Sequence, residues 1–146
     1  MSEIEIIIPG RPVPAARMTQ RGKWIKPNAK RYLAFKDMVR WTAWDAMKKA
    51  GLAPIEGPVA VELKAYINGG RPGDVDNIAK AVFDGLNGVV WYDDRQISEM
   101  HVYRYEKQDK QRTEVKVWSL GEAEGNDTGG NRKAAGRKGV FRASEG

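Results

Sequence analysis

The sequence predicts an α+β fold in the order β-α-β-α-β-β, a mixed sheet with two helices packed on it. Three observations predict it. Val59, Val61, Leu63, Ala65 and Ile67 alternate with Glu62, Lys64 and Tyr66, the period of a strand with one buried face. Val75, Ile78, Ala79, Val82, Phe83 and Leu86 recur at the three- and four-residue spacing of one apolar helical stripe. A second, longer helical stripe runs over about residues 29–50. Elements in this mixture bury their apolar faces by laying helices on a sheet.

Taken in order, residues 4–8 read as the first strand, stopped by Pro9-Gly10. The loop that follows, through Pro27, carries Arg11, Arg17, Arg21, Lys23 and Lys26 and no acid, with Trp24 among the cations. Basic runs are ordinarily solvated loops. Cations beside an aromatic ring also pair phosphates and stack on an unpaired base. Asn28 is placed to cap the first helix and Gly51 to stop it. Its stripe reads Tyr32, Phe35, Val39, Thr42, Ala43, Ala46, Met47 and Ala50. Leu33, Trp41 and Trp44 fall off the stripe, so they cover core edges or mark a subunit interface, where Trp is enriched. Lys30, Arg31, Lys36 and Arg40 extend the basic surface.

Residues 52–58 read as a loop, 59–67 as the second strand, and Asn68-Gly69-Gly70 as a turn. Pro72-Gly73 breaks the chain before the second helix, Asp74 is placed to cap it, and Asn87-Gly88 supplies its stop. Residues 97–105 form a third strand, with 113–118 as its expected hairpin partner. His101 reads as a half-exposed strand residue. From Gly121 apolar residues become sparse and glycine common. The domain reading is therefore a folded unit over 1–119 and a disordered, basic, Gly-rich tail over 120–146.

Composition narrows the function. A net charge of +6 and a pI near 9.6 favour an anionic partner. With no cysteine and one histidine, disulfides, zinc–thiolate sites, thiol catalysis and multi-histidine metal sites are all excluded. No apolar run reaches membrane-spanning length, and Glu3 and Glu5 stand where a signal peptide is basic, which predicts a cytoplasmic protein.

The chemistry is expected around the second helix. Asp76, Lys80 and Asp84, spaced by four, share the solvent-facing side opposite the apolar stripe. That helix is roughly 18 Å long at 1.5 Å per residue. The segment from Asn87 to Asp94, fully extended, reaches roughly 25 Å. It is therefore long enough to return beside the helix and bring Asp93-Asp94 to Asp74 and Asp76. Carboxylates meeting without bases repel, and a divalent cation removes the repulsion. An all-oxygen site suits Mg²⁺ or Mn²⁺, which activates water and holds a phosphodiester for in-line attack. Singly, an Asp before a helix is ordinarily its cap, and Asp-Asp before a strand is ordinarily a turn.

The run Asp74-x-Asp76-Asn77-x-x-Lys80-x-x-x-Asp84-x-Leu86, followed by Asp93-Asp94-x-Gln96, resembles the signature of the RusA family of Holliday junction resolvases, common in phages and prophages. Weaker likeness extends over residues 4–118. Arg95 departs from the pattern, where a small polar residue is expected. The resemblance implies a metal-dependent endodeoxyribonuclease that resolves four-way DNA junctions as a homodimer. It implies that Asp74, Asp76 and Asp94 are catalytic metal ligands and that Lys80 is essential for cleavage; Asp93, beside Asp94, is a further candidate, as an outer-shell or second ligand. The expected DNA contacts are Arg17, Arg21, Lys23, Trp24, Lys26, Lys30, Arg31 and Arg71. Two other readings stay open at this level. One is a nuclease for flaps or forks, the other a DNA-binding accessory protein whose acidic cluster is only structural.

Overall fold

The structure, a computed structural model, describes residues 2–16, 27–70 and 72–121. The expected tail beyond Gly121 lies outside the described residues, as do Arg17, Arg21, Lys23, Trp24, Lys26 and Arg71. The elements follow the expected order: β1 (Glu3–Pro9), α1 (Pro27–Ala50), β2 (Val59–Ile67), α2 (Val75–Leu86), a 3-10 turn (Asp94–Gln96), β3 (Ile97–Glu106) and β4 (Arg112–Ser119). The fold is α+β. No helix among the described residues is long and apolar enough to cross a membrane.

The strands form one mixed sheet in the order β1-β4-β2-β3. β4 is antiparallel to both β1 and β2, and β2 is parallel to β3. This corrects the expected hairpin of the last two strands, which are not neighbours. Thr113, Val115, Val117 and Ser119 of β4 are all buried, as an interior strand requires. β3 keeps most of its side chains half-buried, which suits an edge.

Ile4, Ile6 and Ile8 of β1, Leu63 of β2 and Val115 of β4 share one core with Tyr32, Phe35, Val39 and Met47 of α1 and Ile78, Val82 and Leu86 of α2. The α1 stripe is shorter than expected. Thr42 and Ala46 are half-buried, and Ala50, in the last turn, is exposed. α1 starts at Pro27, whose fixed φ suits a first helical position. Asn28 therefore lies inside the helix, where its Oδ1 accepts from Arg31 Nη2 at 3.3 Å. The helices meet closely at Gly85. A Cβ there would stand 2.7 Å from Val39 Cβ, so only glycine permits this approach.

Strand direction fixes where the acidic residues go. Because β2 and β3 are parallel, α2 must run back along the sheet between them. Its N-terminus therefore lies at the C-terminal ends of β2 and β3, and its C-terminus at their N-terminal ends. After α2 the chain closes at once: Gly88 N donates to Trp91 O at 2.8 Å, and Ile55 N to Val90 O at 2.7 Å. Val89, Val90 and Trp91 are buried there, with Trp91 edge-on to Phe83 at 5.9 Å. Burial of these three apolar groups beneath the end of α2 overrides the expected return beside the helix.

Candidate active site

Asp74 and Asp76 stand at the first turn of α2, both exposed. Asp74 occupies the N-cap position with extended backbone, yet its side chain makes no capping hydrogen bond. The capping expected of Asp74 is thus done without its carboxylate: the turn closes on its backbone oxygen, which accepts from Asn77 N and Ile78 N at 3.1 and 3.0 Å. Neither Asp74 nor Asp76 pairs with another side chain among the described residues. Two carboxylates at this position also sit in the favourable field of the helix N-terminus.

The segment carrying Asp74 is held from two sides. Gly73 adopts φ +84, and a Cβ there would meet Pro14 Cγ at 3.0 Å. From β3, Arg104 Nη1 donates to Gly73 O at 2.6 Å. A cleft of about 1040 Å³ opens beside Asp74, lined by Arg11, Arg31, Arg104 and Asn77 over a wall that includes Pro12 and Pro14. The first turns of α1 and α2 both border it, adding two positive dipole ends to three guanidiniums. Of the expected DNA contacts, Arg31 lines this cleft and Lys30 is its exposed neighbour. Sequence reasoning missed Arg104, since an outward arginine in a strand carries no signal of its own. It noted Arg11 in the basic loop without assigning it to the site.

Lys80, one turn along α2, is exposed, with Nζ 3.4 Å from Asp84 Oδ2. Asp84 was expected to face solvent beside it. Instead it is half-buried and accepts a hydrogen bond from the Tyr32 hydroxyl of α1. Burial, and then the bond to Asp84, push the Tyr32 hydroxyl up to about 12.

Asp93 and Asp94 lie at the other end of α2. Asp93 caps the 3-10 turn, its Oδ1 accepting from Arg95 N at 2.9 Å. That backbone donor chiefly, and the Arg95 charge, hold its carboxyl below the usual range. Asp94 Oδ1 accepts from the Trp91 indole Nε1 at 2.8 Å. No three acidic or histidine side chains among the described residues converge to hold a metal ion. The donor chemistry suits a hard cation, since Asp74 and Asp76 are carboxylates without side-chain partners among the described residues. One chain sets Asp74 and Asp76 on the first turn of α2 and Asp94 beyond its last, with a helix about 18 Å long between them.

No curated protein matches the chain. The family described as Endodeoxyribonuclease RusA matches residues 9–118, from the end of β1 into β4. That span holds the arginine-lined cleft, both acidic pairs and Lys80. With three quarters of its length matched, the chain belongs to the RusA endodeoxyribonuclease family.

Proposed function

We propose that the protein is a Mg²⁺-dependent endodeoxyribonuclease, with Mn²⁺ as a substitute, that resolves four-way DNA junctions by paired symmetrical nicks. It acts as a homodimer in the cytoplasm. The observation that carries this reading is the separation of Asp74 and Asp76 from Asp94 along α2. Three carboxylates of one chain do not meet, whereas two copies arranged about a two-fold axis bring Asp94 of one to Asp74 and Asp76 of the other, twice. Dimerisation then does two things at once: it completes each centre, and it sets two centres apart to cut opposed strands.

A surface suited to the second copy lies at the Asp94 end. Trp41 and Trp44 are 67% and 48% exposed on α1, with their rings 5.9 Å apart, edge to face. They border a hollow of about 770 Å³ that also includes Gly88 and Val89, in the turn leading to Asp94. Large exposed apolar groups gathered in this way mark an interface. Leu33, the third expected member, packs instead against the core. The β3 edge is the competing surface.

Asp74, Asp76 and Asp94 would hold the metal, with Asp93 beside them. When bound, the metal supplies Lewis-acid stabilisation of the phosphodiester and an activated water. The exposed ammonium of Lys80 stabilises the charge that develops on the phosphate, or protonates the leaving oxygen. Arg11, Arg31 and Arg104 draw the DNA backbone toward Asp74. Arg17, Arg21, Lys23, Trp24, Lys26, Lys30 and Arg71 extend that contact.

The test is incubation with a synthetic four-way junction, a flap and a linear duplex, each with and without Mg²⁺. Symmetrical paired nicks on the junction, only with metal, support the reading. Cleavage of flaps alone reassigns the substrate, and binding without cleavage leaves a DNA-binding accessory protein.

A further inference from the structure

We propose that Trp91 is a positioning residue for Asp94, and that Gln96 locks the turn joining them. The inference rests on the reading of Asp94 as a metal ligand. Trp91 is fully buried, so its indole N–H has no access to water and needs an acceptor inside the protein. That acceptor is Asp94 Oδ1, at 2.8 Å. Asp94 itself is exposed. A buried donor has thus been matched to a charged group at the surface, where a backbone carbonyl would have satisfied it equally well. The bond leaves Asp94 Oδ2 as the oxygen without a partner among the described residues, and it fixes the plane of the carboxylate.

Gln96 holds the frame. Its Nε2 donates to Ile55 O and Gly57 O at 2.7 and 2.8 Å, and its Oε1 accepts from Tyr92 N and Asp93 N at 2.8 and 3.0 Å. Both amide hydrogens and the amide oxygen are engaged, and all four partners belong to the two segments flanking Asp94 or preceding β2. Ile55 N adds a bond to Val90 O. The backbone that carries Asp94 therefore cannot shift without breaking these bonds, two of them part-buried, and its carboxylate cannot turn without breaking the bond from Trp91. Groups that orient a ligand in this way typically change metal affinity by about 10–100-fold when removed.

The experiment uses full-length protein and Mn²⁺ as the probe. Trp91→Phe removes the donor but leaves an aromatic ring. Phe83→Leu disturbs the same packing while leaving the indole N–H in place. Metal affinity is read by calorimetry, and the Trp91 indole signal by NMR, assigned by its loss in Trp91→Phe. Trp91→Phe is expected to weaken Mn²⁺ binding about tenfold, Phe83→Leu to leave it unchanged, and Asp94→Ala to move the indole signal upfield. Unchanged affinity in Trp91→Phe, or equal weakening in Phe83→Leu, overturns the proposal alone, provided Asp94→Ala loses affinity. Wild-type affinity in Asp94→Ala overturns the ligand reading and the proposal with it. An indole signal unmoved by Asp94→Ala removes the hydrogen bond on which the proposal stands.

Discussion

Asp74 and Asp94 stand at opposite ends of α2, one before its first turn and one beyond the tight turn that follows its last. The parallel pairing of β2 and β3 enforces this, because a helix joining two parallel strands must carry the chain back along the sheet. The most direct consequence is genetic. Asp76→Asn and Asp94→Asn should each be inactive alone. Mixed and allowed to exchange subunits, they form a heterodimer with one intact set of carboxylates and one doubly defective set. Single-strand nicking of a junction should return to about half the wild-type site activity in that fraction. A mixture as inactive as its parents places the whole site within one chain.

Lys80→Met should lower cleavage by at least about 10²-fold, in line with loss of a general acid or a charge stabiliser. Mn²⁺ affinity should hold, since an ammonium is not a ligand. Stability should also hold, because Lys80 meets Asp84 at 3.4 Å from the solvent side and such a pair contributes little, while Asp84 keeps its bond from Tyr32. Single-turnover cleavage with parallel calorimetry checks both halves.

Trp41→Ser combined with Trp44→Ser should shift sedimentation from dimer to monomer and abolish junction cleavage. The monomer should keep its melting temperature, because both rings are largely outside the core. A dimer that survives points to the β3 edge as the interface.

Tyr32 gives a pH signature. Its hydroxyl is raised to about 12 in the fold, against an ordinary value near 10. Between these values the unfolded chain loses the proton while the folded chain keeps it. Stability from this group is thus fully present below pH 10 and declines as pH rises toward 12, by about 2–3 kcal/mol. Urea unfolding at pH 9 and 11 should show that decline in the wild type and a shallower one in Tyr32→Phe.

Gly85→Ala decides between two opposed effects. In an open helix the change stabilises by about 1 kcal/mol. Here the new Cβ would sit 2.7 Å from Val39 Cβ and 3.0 Å from Lys36 O, so the helices must separate. Overpacking of this kind costs about 1–3 kcal/mol, and a lower melting temperature is expected.

β2 and α2 were legible in the sequence to the residue, because alternation, stripe and glycine–proline punctuation are local signals. The neighbours of β4 were not. Its pairing with β1 joins Glu3 to Trp118, and no local pattern reports a contact so distant. The carboxylate types at Asp74, Asp76 and Asp94 were readable, but not their arrangement. Chain length bounds how far Asp94 travels from α2 and says nothing of direction. The overlooked signal was Val89-Val90-Trp91, three successive apolar residues that need burial close to where the helix ends. Asp84 was misplaced for a similar reason: a polar residue was assigned to water before a hydroxyl on the neighbouring helix was considered.

The sheet order also governs how the chain folds. β4 is the last strand in the sequence, yet it lies between β1 and β2. During synthesis β1 therefore has no ladder partner until nearly the whole domain has been made, and closing that ladder means searching over most of the chain. Such non-local pairing slows folding. Meanwhile the Ile-rich β1, with Ile4, Ile6, Ile7 and Ile8, remains an unpaired apolar strand of the kind that seeds aggregation. A nascent chain stopped short of β4 lacks the centre of the sheet rather than its rim, so soluble yield should fall abruptly once truncations pass upstream of Ser119.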